Sequence, residues 1–251
     1  MTEGFHRYRL ILEYDGGLFS GWQRQPGLAS VQQALEDALA PLCGHPTPVI
    51  GAGRTDAGVH ALGQCAHFDT LAPRAPEVWV RALNALSPRG LTVLEAREVD
   101  PSFHARFSAR RREYLYRYFD RRQPPALDRG RVWGVGRPLD EAAMAAALPP
   151  LLGTHDFSAF RAASCQAAHP VRTVETLEVV RQDHEVRLRV AANAFLHHMV
   201  RNLAGSLARV GLRERPPEWL GELLAARDRT RAAATAPPQG LYLTRVWYEG
   251  E

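Results

Sequence analysis

The order of hydrophobic periodicities constrains this chain more than any other feature. Arg7 to Tyr14 alternates apolar and polar residues, the period of a half-buried strand, and stops at Asp15-Gly16-Gly17. Ser30 then stands as an N-cap before a helical stripe of Val31, Ala34, Leu35, Ala38, Leu39 and Leu42. Short strands follow at Pro48 to Ala52 and Gly63 to Asp69, a helix at Pro76 to Leu86, and a strand at Leu91 to Val99. The same succession then returns. Arg112 to Phe119 alternates Tyr114, Tyr116 and Tyr118 with Leu115, Arg117 and Phe119, and a helix follows from Asp140 to Leu148. Val171 to Val180 and Val186 to Ala192 flank a Gln182-Asp183-His184 turn, a long helix runs from Ala194 to Val210, and Leu241 to Trp247 closes as a strand. Each half reads as β-α-β-β-α-β, the ferredoxin-like order. The expected fold is α+β: two such units forming one extended, mostly antiparallel sheet with helices on one face. The boundary is placed in the Arg-rich stretch after Phe103, giving domains 1–103 and 104–251. Asp120 to Gly136 and Arg161 to Pro170 read as excursions from the pattern.

Charge sharpens the contrast between the halves. All 31 basic residues are arginine. Residues 1–103 hold 8 Arg against 11 acids, whereas residues 104–251 hold 23 against 16. Basic charge concentrated in one part points to a polyanionic partner. Apolar runs of the length a membrane helix needs are lacking, as is a secretion-type start, and Cys43, Cys65 and Cys165 form no C-x-x-C pair. The expectation is a cytoplasmic protein with free thiols and no membrane partner.

The most unusual segment is Gly51-Ala52-Gly53-Arg54-Thr55-Asp56-Ala57-Gly58-Val59-His60-Ala61, between two strands. Its glycines let backbone approach a ligand closely, and the loop presents Arg54, Asp56 and His60. A tight turn in which Asp56 bonds its own backbone uses the same residues, and spacing does not choose. The segment is a poor dinucleotide fingerprint, because the third glycine and the following helix are missing. There is no H-E-x-x-H, no phosphate loop and no G-x-S-x-G, and the neighbouring His197 and His198 read as packing or surface residues rather than metal ligands. On the long helix, Arg201 flanks the apolar face one turn before Gly205. It is either a solvated flank charge or a guanidinium reaching over the sheet to a carboxylate, with Gly205 leaving room. Tyr114 lies among Arg110, Arg111, Arg112 and Arg117. Interleaved rings and guanidiniums suit RNA, and equally suit an edge strand with its tyrosines packed on one face.

Taken together, these residues resemble the tRNA pseudouridine synthase A family. The motifs are Glu13-Tyr14-Asp15-Gly16 with Phe19-Ser20-Gly21-Trp22-Gln23-Arg24-Gln25, Ser30-Val31-Gln32, the Asp56 loop, Arg112-Glu113-Tyr114-x-Tyr116, Phe195-Leu196-x-x-Met199-Val200-Arg201-Asn202, and Gly240-Leu241-Tyr242-Leu243. The resemblance implies an isomerase that turns uridine into pseudouridine at positions 38, 39 and 40 of the tRNA anticodon stem-loop, with no metal or cofactor. It implies Asp56 as the catalytic carboxylate, Arg201 as its cationic partner, and Tyr114 as the ring that stacks on the target uracil. It implies Leu241 on the other side of the base, and Arg54 filling the stack after the nucleotide flips out. The Arg-rich strand, Arg110 and Arg111 included, and the two excursions would line a tRNA cleft in a homodimer. Two further readings use the same sequence: an inactive tRNA-binding protein or folding chaperone, and a related pseudouridine synthase acting on other tRNA positions or on another RNA.

Overall fold

The computed structural model describes residues 4–251. The fold is α+β, with five α-helices and a mostly antiparallel open sheet of ten strands. No helix among the described residues is long and apolar enough to cross a membrane. Contacts divide the chain into two compact units. One comprises the residues up to Arg110 together with Leu243–Glu251, and the other comprises Arg111–Tyr242.

In the first unit, β1 (His6–Tyr14) is followed by α1 (Val31–Cys43), β2 (Ile50–Gly51), β3 (His60–Thr70), α2 (Pro76–Leu86) and β4 (Leu91–Val99). Strand β1 lies between β4 and β3 and is antiparallel to both, with Leu10 opposite Ala96 on one side and Ala66 on the other. The two-residue period seen in β1 is the burial pattern: Tyr8, Leu10, Leu12 and Tyr14 are buried. Helix α1 begins as its sequence requires, Ser30 Oγ accepting from the Gln33 N–H at 3.3 Å. Gly44 ends it in the left-handed region, at φ +76°. Helix α2 places Trp79 against Tyr8 and Phe68, with ring centroids 5.4 and 5.1 Å apart. Trp79 Nε1 is buried without a hydrogen-bond partner among the described residues. That costs about 1–3 kcal/mol. Burial of the ring contributes about 4–6 kcal/mol at ~25 cal/mol per Å², so packing wins.

The second unit contains β5 (Arg111–Phe119), β6 (Trp133–Gly134), α3 (Glu141–Ala146), β7 (Gly153–Asp156), β8 (Val171–Gln182), β9 (Glu185–Ala192), α4 (Met199–Gly211) and α5 (Trp219–Ala226). Its strands run in the order β5-β9-β8-β7, with β6 parallel to the end of β5. The first three are the order the ferredoxin-like motif demands of its first, third and second strands. The last strand, β10 (Leu241–Trp247), begins in this unit and from Leu243 onward is counted with the first. Tyr116 and Tyr118 are buried, their rings tilted with centroids 4.8 Å apart and both in contact with Trp133. The Tyr118 hydroxyl donates to the Ala204 carbonyl of α4.

Several sequence expectations need correction here. The long helix starts at Met199, not Ala194. Asn193 Oδ1 accepts from the Ala194 N–H, and His198 sits at φ +61°, so residues 194–196 are irregular and 197–198 turn into the helix. His197 and His198 therefore precede the helix, and their rings lie tilted with centroids 4.0 Å apart. Strand β3 begins at His60 rather than Gly63, whereas β2 shrinks to two residues. Strands β6 and β7 and helix α5 were not expected. The first two are too short to show a period, and α5 is apolar on nearly every side.

Candidate active site

The Asp56 loop joins β2 to β3 in the first unit and is gripped by a second loop, residues 15–22. The Trp22 N–H donates to the Thr55 carbonyl at 3.0 Å, and the Gly58 N–H donates to the Gly16 carbonyl at 3.2 Å. These bonds hold the backbone on both sides of Asp56. The Val59 N–H closes the turn on the Asp56 carbonyl at 3.1 Å. Such approach excludes side chains. A Cβ on Gly16 would lie 2.0 Å from the Val59 oxygen, and one on Gly21 would lie 2.7 Å from the Thr55 oxygen. Gly21 also takes φ +94°, open only to glycine at little cost. His60 is buried, and its Nδ1 accepts from the Gly16 N–H at 3.1 Å. The same nitrogen lies 3.2 Å from Asp15 Oδ1. The grip leaves Thr55 buried, Asp56 half-buried and Arg54 exposed. A half-buried carboxylate on a rigid turn, beside an exposed arginine, can approach a substrate without first reorganising.

The other expected site residues fall elsewhere. Arg110 belongs to the first unit, exposed and paired with Glu249 at 3.1 Å. Arg111 opens β5, 3.6 Å from Glu175. Tyr114 on β5 is buried to 8% exposure, and the Phe195 ring meets it edge-on with centroids 5.0 Å apart. The late start of α4 makes that contact, because Phe195 lies in the irregular stretch before it. Arg201, in the first turn of α4, is half-buried, and its Nε donates to the Ala236 carbonyl at 2.9 Å. Its own carbonyl accepts from the Ala236 N–H at 3.1 Å.

The strap of residues 234–241 is thus fastened to α4. It is fastened to β5 as well, because the Tyr116 hydroxyl donates to the Pro237 carbonyl at 2.8 Å. Burial pushes the Tyr116 phenol well above its ordinary range, with Arg201 acting in the other direction, so Tyr116 stays a proton donor. Leu241 leaves this strap and is buried. Tyr114, Arg201 and Leu241 are all set within the second unit by β5, α4 and the strap, whereas Asp56, Arg54 and Arg110 are set within the first.

Two readings from the sequence change. Gly205 does not make room for the Arg201 side chain; it admits the strap, since a Cβ there would lie 2.1 Å from the Ala234 oxygen. Arg117 is not an open cation of an Arg-rich strand. Its Nε and Nη2 both bind Glu185 at 2.8 Å, and Nη2 also reaches Asp128 at 3.1 Å. The sequence reading gave residues 15–22 no part in holding the Asp loop, although Gly21 beside Trp22 was a signal.

Comparison with known proteins settles the family. The tRNA pseudouridine synthase model matches residues 10–108 and 147–249. The chain belongs to the tRNA pseudouridine synthase family. The tRNA pseudouridine synthase A of Rhodospirillum rubrum is 50% identical over 246 residues, covering 98% of this chain and 88% of the relative. That of Idiomarina loihiensis is 50% identical over 242 residues, covering 96% and 93%. That of Nitrobacter winogradskyi is 51% identical over 245 residues, covering 97% and 96%. The synthase-family segments include Arg54, Asp56, Arg201 and Leu241, whereas Arg110, Arg111 and Tyr114 lie between them.

Proposed function

We propose that this chain isomerises uridine to pseudouridine at positions 38, 39 and 40 in the anticodon stem-loop of tRNAs, with Asp56 as the reacting carboxylate. The observation that carries the reading is Asp56 itself, held at a half-exposed turn by two backbone bonds in a chain of this family. The reaction breaks the N1–C1′ bond and forms C5–C1′; C5 gives up its hydrogen, and N1 ends protonated. Substrate and product are isomers, so no oxidant, reductant or group donor is consumed, and acid–base and nucleophilic side chains are the tools the chemistry calls for.

The remaining roles follow from the motif resemblance. Asp56 acts at the sugar or the base, with Arg201 as its cationic partner. Tyr114 stacks on the flipped uracil, with Leu241 on its other side, and Arg54 occupies the vacated stack. Flipping costs a few kcal/mol, which stacking partly offsets. Domain 1–103 supplies the carboxylate. Domain 104–251 supplies most of the basic charge for a tRNA held by a homodimer in the cytoplasm, with Arg110 and Arg111 on phosphates.

The test is tritium release from a tRNA transcript carrying 5-tritiated uridine, wild type beside Asp56→Asn, with mapping of the product. Wild type should release tritium and leave pseudouridine in the anticodon stem-loop. Asp56→Asn should release none and still bind tRNA. Equal loss of binding and turnover would make Asp56 structural. Product elsewhere would move the substrate position, and no release by wild type would leave a binding protein.

A further inference from the structure

The backbone bonds at Thr55 and Gly58 hold the Asp56 loop from its flanks. Three side chains hold it from beneath, none of which the proposed chemistry uses. Tyr14 ends β1 and is 3% exposed; Gln64 lies on β3 and is fully buried; Thr55 precedes Asp56 and is 7% exposed. The Tyr14 hydroxyl and Thr55 Oγ1 are 2.8 Å apart. Gln64 Nε2 lies 2.7 Å from the Gly53 carbonyl and 3.5 Å from the Tyr14 hydroxyl.

One end of this chain has a fixed direction. A carbonyl can only accept, so the Gln64 atom facing Gly53 must be the amide nitrogen. Its second N–H then faces the Tyr14 oxygen, and either hydroxyl of the Tyr14–Thr55 pair can donate to the other. Gln64 Oε1 is the atom left over, buried and without a hydrogen-bond partner among the described residues. The strand geometry is also built for the arrangement. On β1, Leu12 faces Gln64 and Tyr14 faces Ala61, so β3 carries an extra residue in between. That irregularity brings Ala61 and Gln64, three residues apart, to the face shared by Leu12 and Tyr14. Bulges commonly re-aim side chains beside active sites.

We propose that Tyr14, Thr55 and Gln64 are positioning residues for Asp56: a buried hydrogen-bond chain that fixes the turn carrying the carboxylate. The proposal rests on the isomerase reading for its effect on rate, but its structural part stands alone. Two measurements separate them. Amide hydrogen exchange of residues 53–59 needs no activity. Thr55→Val and Tyr14→Phe should each raise exchange there at least about five-fold while global melting changes little, and Thr55→Ser should restore protection. Unchanged protection in both would overturn the proposal, even if the wild type proved inactive. Where the wild type releases tritium, Thr55→Val and Tyr14→Phe should lower kcat about 10- to 100-fold and leave KM within about two-fold. The double variant should be no worse than either single, because both remove one bond. Additive losses, a rise in KM alone, or no rescue by Thr55→Ser would reduce the three residues to ordinary core.

Discussion

Gly205 shows how a single atom sets local architecture. Its missing Cβ lets the Ala234 carbonyl rest on α4, and the strap that follows carries Ala236 to Arg201 and Pro237 to Tyr116. Gly205→Ala should displace the strap and destabilise the protein by about 1–3 kcal/mol, read as a lower urea midpoint. An unchanged midpoint would mean the strap yields without cost. From the sequence, the glycine was legible as a gap beside Arg201, but not what filled it. A chain segment some thirty residues away leaves no trace in the helix's own periodicity.

At the scale of elements, β3 carries the clearest pH-sensitive contact. His67 is buried, and its Nδ1 accepts from the Ala105 N–H at 3.1 Å, tying β3 to the turn at 103–108. Burial, with Arg7 and His104 adding, lowers its pKa to about 4 from the ordinary 6.5, and Asp69 opposes weakly. Because the folded value is lowered, the unfolded chain binds the proton first. Stability is full above about 6.5, falls as pH drops toward about 4, and levels below it. At about 1.4 kcal/mol per pKa unit the ceiling is roughly 3 kcal/mol. His67→Gln should remove most of the difference between urea midpoints at pH 7 and pH 4.5 that the wild type shows. An equal acid loss in the variant would assign that difference to carboxylates. Elements with a long period, β1, α1, α2, β4 and β10, were legible almost to the residue. The start of α4 was not, because Asn193 and His198 break a pattern whose apolar spacing continues unbroken through Phe195 and Leu196.

Across the whole molecule, arginine divides into two populations. Arg117 is held by Glu185 through two short bonds and serves the fold. Arg110 and Arg111 pair with Glu249 and Glu175 at or near the surface, where such pairs contribute about 0–1 kcal/mol and exchange readily for a phosphate. Arg110→Ala and Arg111→Ala should each reduce the slope of log Kd for tRNA against log salt by about 0.7–0.9, with little change in melting. Slopes equal to wild type would remove both from the RNA interface. Charge counting along the chain located the basic half, but it could not tell a half-buried paired guanidinium from one paired near the surface, since that depends on which acid folds beside it.

The sequence alone determined the strand and helix order, the cap at Ser30, and the loop that bears Asp56, because periodicity and turn chemistry act over a few neighbouring residues. Tertiary structure alone decided that Leu243–Glu251 is counted with the first unit, that Gly16 and Gly21 clamp the Asp56 turn, and that Phe195 meets Tyr114. Those contacts join residues distant along the chain, and they are selected by close packing and buried hydrogen bonding, which no local pattern encodes.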